Sequence, residues 1–455
     1  MSLWTVLFLS LCAVAYAVEI HQLPGAPSVS FKQYAGYFDV GVNKSRHLHY
    51  WFVESQNDAA NDPLLLFLYG GPGCSGLSSS LTEWGPFRVN PDGRTLHLNE
   101  HSWNTRANIL LLEAPAGVGF SYADNGDIGS NDTSSALENW EALRGFFTEF
   151  PQFQSNDLFL TGVSYAGIYI PTLGDRILKS QKEFHMNLKG YAIGNGMVSE
   201  KVNTDTVLLF AYNHAMISER LWQQAKIECC NGAIDGCPFH TFTGYDFCGR
   251  LVANITTSVW TSGVNPYNVF DQCSNTPQDP NPTKRLKNLR FRVGYFQVTG
   301  SHLSSKVQVK LCVNDTAVDT YLNSAAAREA FFVPKGFGLY ETCNMNVTGE
   351  YTKQTQEMEP LIANALDQGL RVFLMYGDAD MACNFLMAQR FVENMGRKMI
   401  SEKKEFMVNG QVGGFHTAYE GVEFVTVRGA DHNIPLNRPV ASLYVLNQFL
   451  QKQHI

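Results

Sequence analysis

The chain has 455 residues, 45% of them hydrophobic, and a formal net charge of −8. That length and apolar content suffice for one large domain, or two to three small ones, around a sizeable core. The acidic balance argues against nucleic acid or anionic lipid as a partner, because both repel a negative surface.

Leu3 to Val14 is apolar and uncharged, and Ala15-Tyr16-Ala17 puts small residues where a signal peptidase reads. The pattern predicts a secretory signal removed after Ala17, too short to anchor in a bilayer. No later run reaches membrane-spanning length, so the mature chain is expected to be soluble, lysosomal or extracellular. Asn-x-Ser/Thr sequons at Asn43, Asn131, Asn254, Asn314 and Asn346 become glycan acceptors on that route. Removing Cys12 with the signal leaves nine of the ten cysteines, seven of them between 229 and 343. That region is expected to lean on disulfides, and the odd count leaves one thiol free or intermolecular.

Leu64 to Tyr69 is continuously apolar, as a strand buried on both faces should be, and runs into Gly70-Gly71-Pro72-Gly73. Asn108 to Glu113 repeats the pattern and stops at Ala114-Pro115-Ala116-Gly117. Leu158 to Thr161 leads into Gly162-Val163-Ser164-Tyr165-Ala166-Gly167, followed by a helical pattern through Leu178. A sharp strand–turn–helix of this kind pushes Ser164 out at the top of a sheet, which suits a nucleophile. Tyr191 to Ile193 ends at Gly194-Asn195-Gly196, Arg371 to Tyr376 at Gly377-Asp378-Ala379-Asp380, and Glu423 to Val427 just before Gly429-Ala430-Asp431-His432. Serine, then acid, then histidine is the order of an α/β-hydrolase, with Asp378 and Asp380 both eligible as the acid. The expected fold is therefore α/β: a mostly parallel sheet with helices on both faces and its site at the strands' C-terminal ends.

From Asn195 to roughly Pro360 the rhythm lapses. The expected partition is a signal over 1–17, hydrolase core over 18–195 and 361–455, and an inserted disulfide-rich cap over 196–360. Within the cap, Lys284 to Arg292 is basic and reads either as a loop open to proteolytic processing or as an ordinary solvated loop.

Five segments taken in order carry a family likeness: Gly70-Gly71-Pro72-Gly73-Cys74-Ser75, Glu113 to Tyr122, the Ser164 motif, Ile193-Gly194-Asn195-Gly196, and Asp380-Met381-Ala382-Cys383-Asn384. By these the chain resembles the serine carboxypeptidases, particularly their lysosomal protective-protein (cathepsin A-like) branch, over nearly all of its mature length. The resemblance implies a catalytic triad of Ser164, Asp380 and His432, its Asp-x-x-Cys-Asn context favouring Asp380 over Asp378. It implies an oxyanion hole from the N–H groups of Gly71 and Tyr165, and no metal or cofactor. It also implies disulfides Cys74–Cys343, Cys229–Cys248, Cys230–Cys237 and Cys273–Cys312, leaving Cys383 as the thiol. The implied partner is a peptide or ester substrate; a homodimer stays open.

The pattern breaks inside the site. Where the family has an asparagine and a glutamate that bind the substrate's terminal carboxylate together with a second glutamate (here Glu83), this chain has Tyr69 and Val163. An anion entering a dry pocket needs donors, and an isopropyl group gives none while a phenol gives one. Asp431 replaces a glycine beside the histidine. Three readings follow: a carboxypeptidase with altered carboxylate recognition, in which the Tyr69 hydroxyl stands in for the lost amide; an esterase, deamidase or acyltransferase on the same triad; or a weakly catalytic or non-catalytic protective partner of other lysosomal proteins.

Overall fold

The computed structural model describes residues 18–272 and 315–451. The signal segment, the Cys273–Cys312 pair, Asn314 and the basic run 284–292 lie outside the described residues.

The centre is a run of parallel strands: β1 (Leu64–Leu68), β2 (Asn108–Leu112), β3 (Leu158–Val163), β4 (Leu188–Gly194), β5 (Arg371–Gly377) and β6 (Val422–Val427). They lie in the order β2-β1-β3-β4-β5-β6 within a twelve-stranded sheet. Alternate side chains feed two separate cores, as the two-residue period of a strand requires. Leu64, Leu66, Leu158 and Leu160 face helices α1 (Asp132–Glu149), α2 (Ala166–Lys179), α3 (Glu359–Asp367) and α4 (Phe385–Asn394). Leu65, Phe67, Phe159 and Phe373 face the other way, onto Val445, Leu446 and Phe449 of α5 (Pro439–Leu450). Burial of each such side chain contributes about 1.5–3 kcal/mol, which explains why apolar runs rather than alternating ones encode these strands.

Antiparallel strands extend both edges, and these the apolar-run reading did not include. Arg46–Val53 and Gln33–Val40 continue the sheet beyond β2, and the hairpin Gln411–Tyr419/Met399–Val408 continues it beyond β6. Between β4 and β5 no strand among the described residues joins this sheet. That stretch instead builds a third core from Val207, Phe210, Trp222, Leu251 and Ile255, stapled by Cys229–Cys248 and Cys230–Cys237. Met381 packs into it, so the inserted region touches the loop that carries Asp380. Cys74–Cys343 joins the glycine turn after β1 to the far end of the insertion. Of the described sequons, Asn43, Asn254 and Asn346 are exposed, while Asn131 is half-buried and caps α1.

Candidate active site

Strand register decides which turns meet. Leu68 lies beside Gly162, Val163 beside Gly194, Gly194 beside Met375, and Gly377 beside Val427. The turns after β1, β3, β4, β5 and β6 therefore emerge at one edge, and they carry Gly71, Ser164, Asn195, Asp380 and His432.

Ser164 sits in left-handed backbone at φ 67°, a conformation that costs a non-glycine residue energy and recurs at nucleophile turns. Its N–H donates to the Gly194 and Asn195 carbonyls at 3.3 and 3.2 Å. The small neighbours are obligatory: a Cβ on Gly162 would fall 2.2 Å from Leu68 O and 2.7 Å from Ala166 Cβ. A Cβ on Gly70 would fall 2.4 Å from Tyr165 N, so the glycine turn packs directly on the serine turn. Among the described residues, neither the Gly71 nor the Tyr165 N–H is taken by a protein acceptor. Unclaimed backbone donors on two turns that pack on each other, one of them the serine turn, suit an oxyanion.

His432 Nδ1 lies 2.7 Å from Asp380 Oδ2, with Asp380 fully buried. The same carboxylate accepts the Ala382 N–H at 2.9 Å and the Cys383 N–H at 3.3 Å. Asn195, assigned no role from sequence, ties the arrangement together. Its Nδ2 donates to Asp380 Oδ2 at 2.9 Å, its Oδ1 accepts Gly377 N–H at 3.1 Å, and its carbonyl takes the Ser164 N–H. Asn384 then caps α4 by accepting the Met387 N–H, which fixes where the acid loop ends. Asp378, the rival acid, instead accepts the Gly429 N–H at 2.7 Å and so shapes the histidine loop. Tyr267, from the insertion, accepts the His432 N–H at 3.0 Å and places its ring 4.9 Å from the imidazole. Cys383 is buried and outside any disulfide; its Sγ, an Asp380 oxygen and a His432 nitrogen all lie within 4.8 Å of one another.

Beside this machinery lie Tyr69, Glu83, Val163 and Asp431. The Tyr69 phenol donates to Asn433 Oδ1 at 3.2 Å, so its hydrogen is already engaged. The same hydroxyl also bonds Glu83, where it pulls that carboxyl's pKa down. Val163 is buried in the apolar core. Asn433 N–H and Asn268 Nδ2 donate to the two Asp431 oxygens at 2.9 and 3.1 Å. Arg88 straps the helical turn Ser80–Trp84 to the histidine loop by donating to the carbonyls of Glu83 at 2.8 Å and Pro435 at 3.0 Å. Glu83 is 2% exposed and its Oε2 has no partner among the described residues. Burial first, and the nearby Asp431 second, push its carboxyl up to about 8. Burial also raises Asp431, to about 6, against the pull of its asparagine donors and His432. At acid to neutral pH Glu83 is therefore an uncharged acid and a donor, not the repelling anion an unpaired glutamate would be at the surface.

A family model described as serine carboxypeptidase matches residues 24–452. The mouse lysosomal protective protein is 38% identical over 96% of this chain and 94% of its own length. The Caenorhabditis elegans serine carboxypeptidase ctsa-4.1 is 34% identical over 100% and 98%. Among solved structures, the yeast prohormone-processing carboxypeptidase Kex1 superposes with a TM-score of 0.73 at 23% identity, covering 96% of this chain and 95% of that one. This structural likeness establishes the α/β-hydrolase fold.

Proposed function

Because the chain belongs to the serine carboxypeptidase family, we propose that it hydrolyses the C-terminal bond of peptides through an acyl-enzyme on Ser164. The observation that carries this reading is the His432–Asp380 contact at 2.7 Å, set on the same sheet edge as a serine at φ 67°. With Nδ1–H held by Asp380, the imidazole presents Nε2 as the base. Ser164 Oγ attacks the scissile carbonyl and gives its proton to Nε2, and the Gly71 and Tyr165 N–H groups receive the oxyanion. Collapse of the tetrahedral adduct expels the C-terminal amino acid, whose amine takes that proton. Water then repeats the cycle in reverse roles and releases the shortened peptide.

Protonated Glu83 donates to the substrate's terminal carboxylate, a role that the family shares among an amide and two carboxyls. The region 196–360 serves as the cap over this edge. No described helix is long and apolar enough to cross a membrane, and a secretory address, lysosomal or extracellular, fits both the sequons and the lysosomal relative. The engaged Tyr69 hydroxyl and the apolar Val163 favour a second reading, in which esters or C-terminal amides are processed as readily as free acids. An active-site fluorophosphonate together with product analysis on matched peptide acids, amides and esters tests both. No labelling of folded protein from acid to neutral pH would leave the protective-partner reading.

A further inference from the structure

Asp132 opens α1 and is 2% exposed. Its carboxylate has no ion-pair partner among the described residues, yet four donors reach it. Oδ1 accepts the phenols of Tyr165 and Tyr351, both at 2.9 Å. Oδ2 accepts the backbone N–H groups of Gln354 at 2.7 Å and Thr355 at 2.8 Å. The start of the helix adds its own partial positive charge, and the Asn131 side chain holds that start in place by accepting the Ser134 N–H at 2.8 Å. An anion this well satisfied is an anchor, since every lone-pair direction is used.

One of the anchored groups is Tyr165, the residue after the nucleophile. Its ring is 4% exposed, meets Tyr169 edge-on at 5.1 Å and Tyr351 edge-on at 5.6 Å, and lies under Lys353 Nζ at 5.3 Å. Ring packing restrains the side chain's plane, and the phenol bond to Asp132 fixes its far end. Together they fix the direction of the Cα–Cβ bond and, through it, the peptide plane that carries the Tyr165 N–H.

We propose that Asp132 is a positioning residue for acyl transfer, holding the Tyr165 N–H on the developing oxyanion through the Tyr165 phenol. This rests on the acyl-enzyme reading above. A donor made only in the transition state raises kcat without changing substrate affinity, and its misalignment does the reverse. Asp132→Asn places an amide NH₂ against either the phenols or the backbone N–H groups, whereas Tyr165→Phe removes the tether and leaves the other three bonds.

The experiment compares wild type, Asp132→Asn, Tyr165→Phe, the double variant and Tyr351→Phe on one peptide ester. It reads kcat, KM, inhibition by a peptide aldehyde that forms the tetrahedral adduct, and Tm. Each of the first two variants is expected to lose about tenfold to a hundredfold in kcat, with KM within about twofold and aldehyde affinity falling in step. The double variant should lose no more than the worse single one, because both act through the same phenol. Tyr351→Phe removes one donor without touching the tether, so its Tm should fall while kcat holds. Lowered Tm with unchanged kcat and aldehyde affinity in Tyr165→Phe overturns the proposal, as do losses that multiply in the double variant. If Asp132→Asn does not fold, Tyr165→Phe against Tyr351→Phe decides alone. Wild type that neither labels with a fluorophosphonate nor turns over ester refutes the acyl-enzyme reading itself, a result distinct from either.

Discussion

In the proposed carboxypeptidase reading, Glu83 decides whether this pocket recognises a free C-terminus. Its carboxyl, pushed up to about 8, holds a proton at acid and neutral pH and can donate to an incoming carboxylate. Above that value both groups are anionic. A raised carboxyl pKa means the interaction is present below it and lost as pH climbs through it. Asp431, pushed up to about 6, adds a negative charge to the same pocket earlier in that climb. The substrate's own terminal carboxyl titrates at roughly 3.3–3.7 and stays ionised throughout. A hydrogen bond to a charged group is worth about 1.5–3 kcal/mol, hence roughly ten- to a hundredfold in kcat/KM. The informative quantity is the ratio of kcat/KM for a peptide acid to that of its methyl ester, because the triad's own titration cancels. We expect this ratio to fall about ten- to a hundredfold between pH 5 and pH 9, with steps near 6 and 8. Glu83→Gln, which keeps a donor but cannot ionise, should erase the upper step, and Asp431→Asn the lower one. A Glu83→Gln ratio that follows wild type through pH 8, or a flat wild-type ratio, would refute the reasoning.

Three further outcomes are expected. Ser164→Ala should abolish fluorophosphonate labelling and lower kcat roughly a millionfold with Tm unchanged, since Ala fills the same turn; residual labelling would place the nucleophile elsewhere. Tyr69→Asn with Val163→Glu should raise kcat/KM for peptide acids about ten- to a hundredfold at acid pH and leave esters alone; no gain would show the pocket needs neither group. Peptide mapping without reduction should find four disulfides in the mature chain, with Cys383 alkylated only once the protein is unfolded; a bridged Cys383 would overturn the pairing.

The parallel strands are legible because a strand covered on both faces has no room for a polar side chain, as in Leu64–Leu68. The hairpin Met399–Tyr419 is not, since its outer strand is mostly exposed and reads Ser-Glu-Lys-Lys-Glu in its middle. Edge strands carry little burial signal, so hydropathy passes over them. The serine turn shows in sequence because its geometry demands glycine and alanine at fixed offsets. The latch from Tyr69 to Asn433 spans 364 residues and leaves no local trace. Asn195 is similar: the turn Gly194-Asn195-Gly196 is visible, but only the fold reveals that its side-chain amide serves the acid and the next strand while its backbone carbonyl holds the serine. The charge state of Glu83 is likewise a property of burial, which no single residue letter encodes.

The bond between Cys74 and Cys343 closes a ring of chain with a sequence separation of 269 residues. Ser164 lies on that ring, whereas Asp380 and His432 lie on the tail that leaves it. A single cut in the ring beyond Ser164 would put the nucleophile on one polypeptide and its acid and base on another. The two pieces would still be one molecule, because the ring opens into a branched chain rather than falling apart. Interlocked strands β3, β4, β5 and β6 would continue to hold the turns in register. By connectivity, covalent continuity of the backbone and integrity of the proposed catalytic centre are thus separable, and reduction in addition to cleavage is what would remove the last covalent link between the halves.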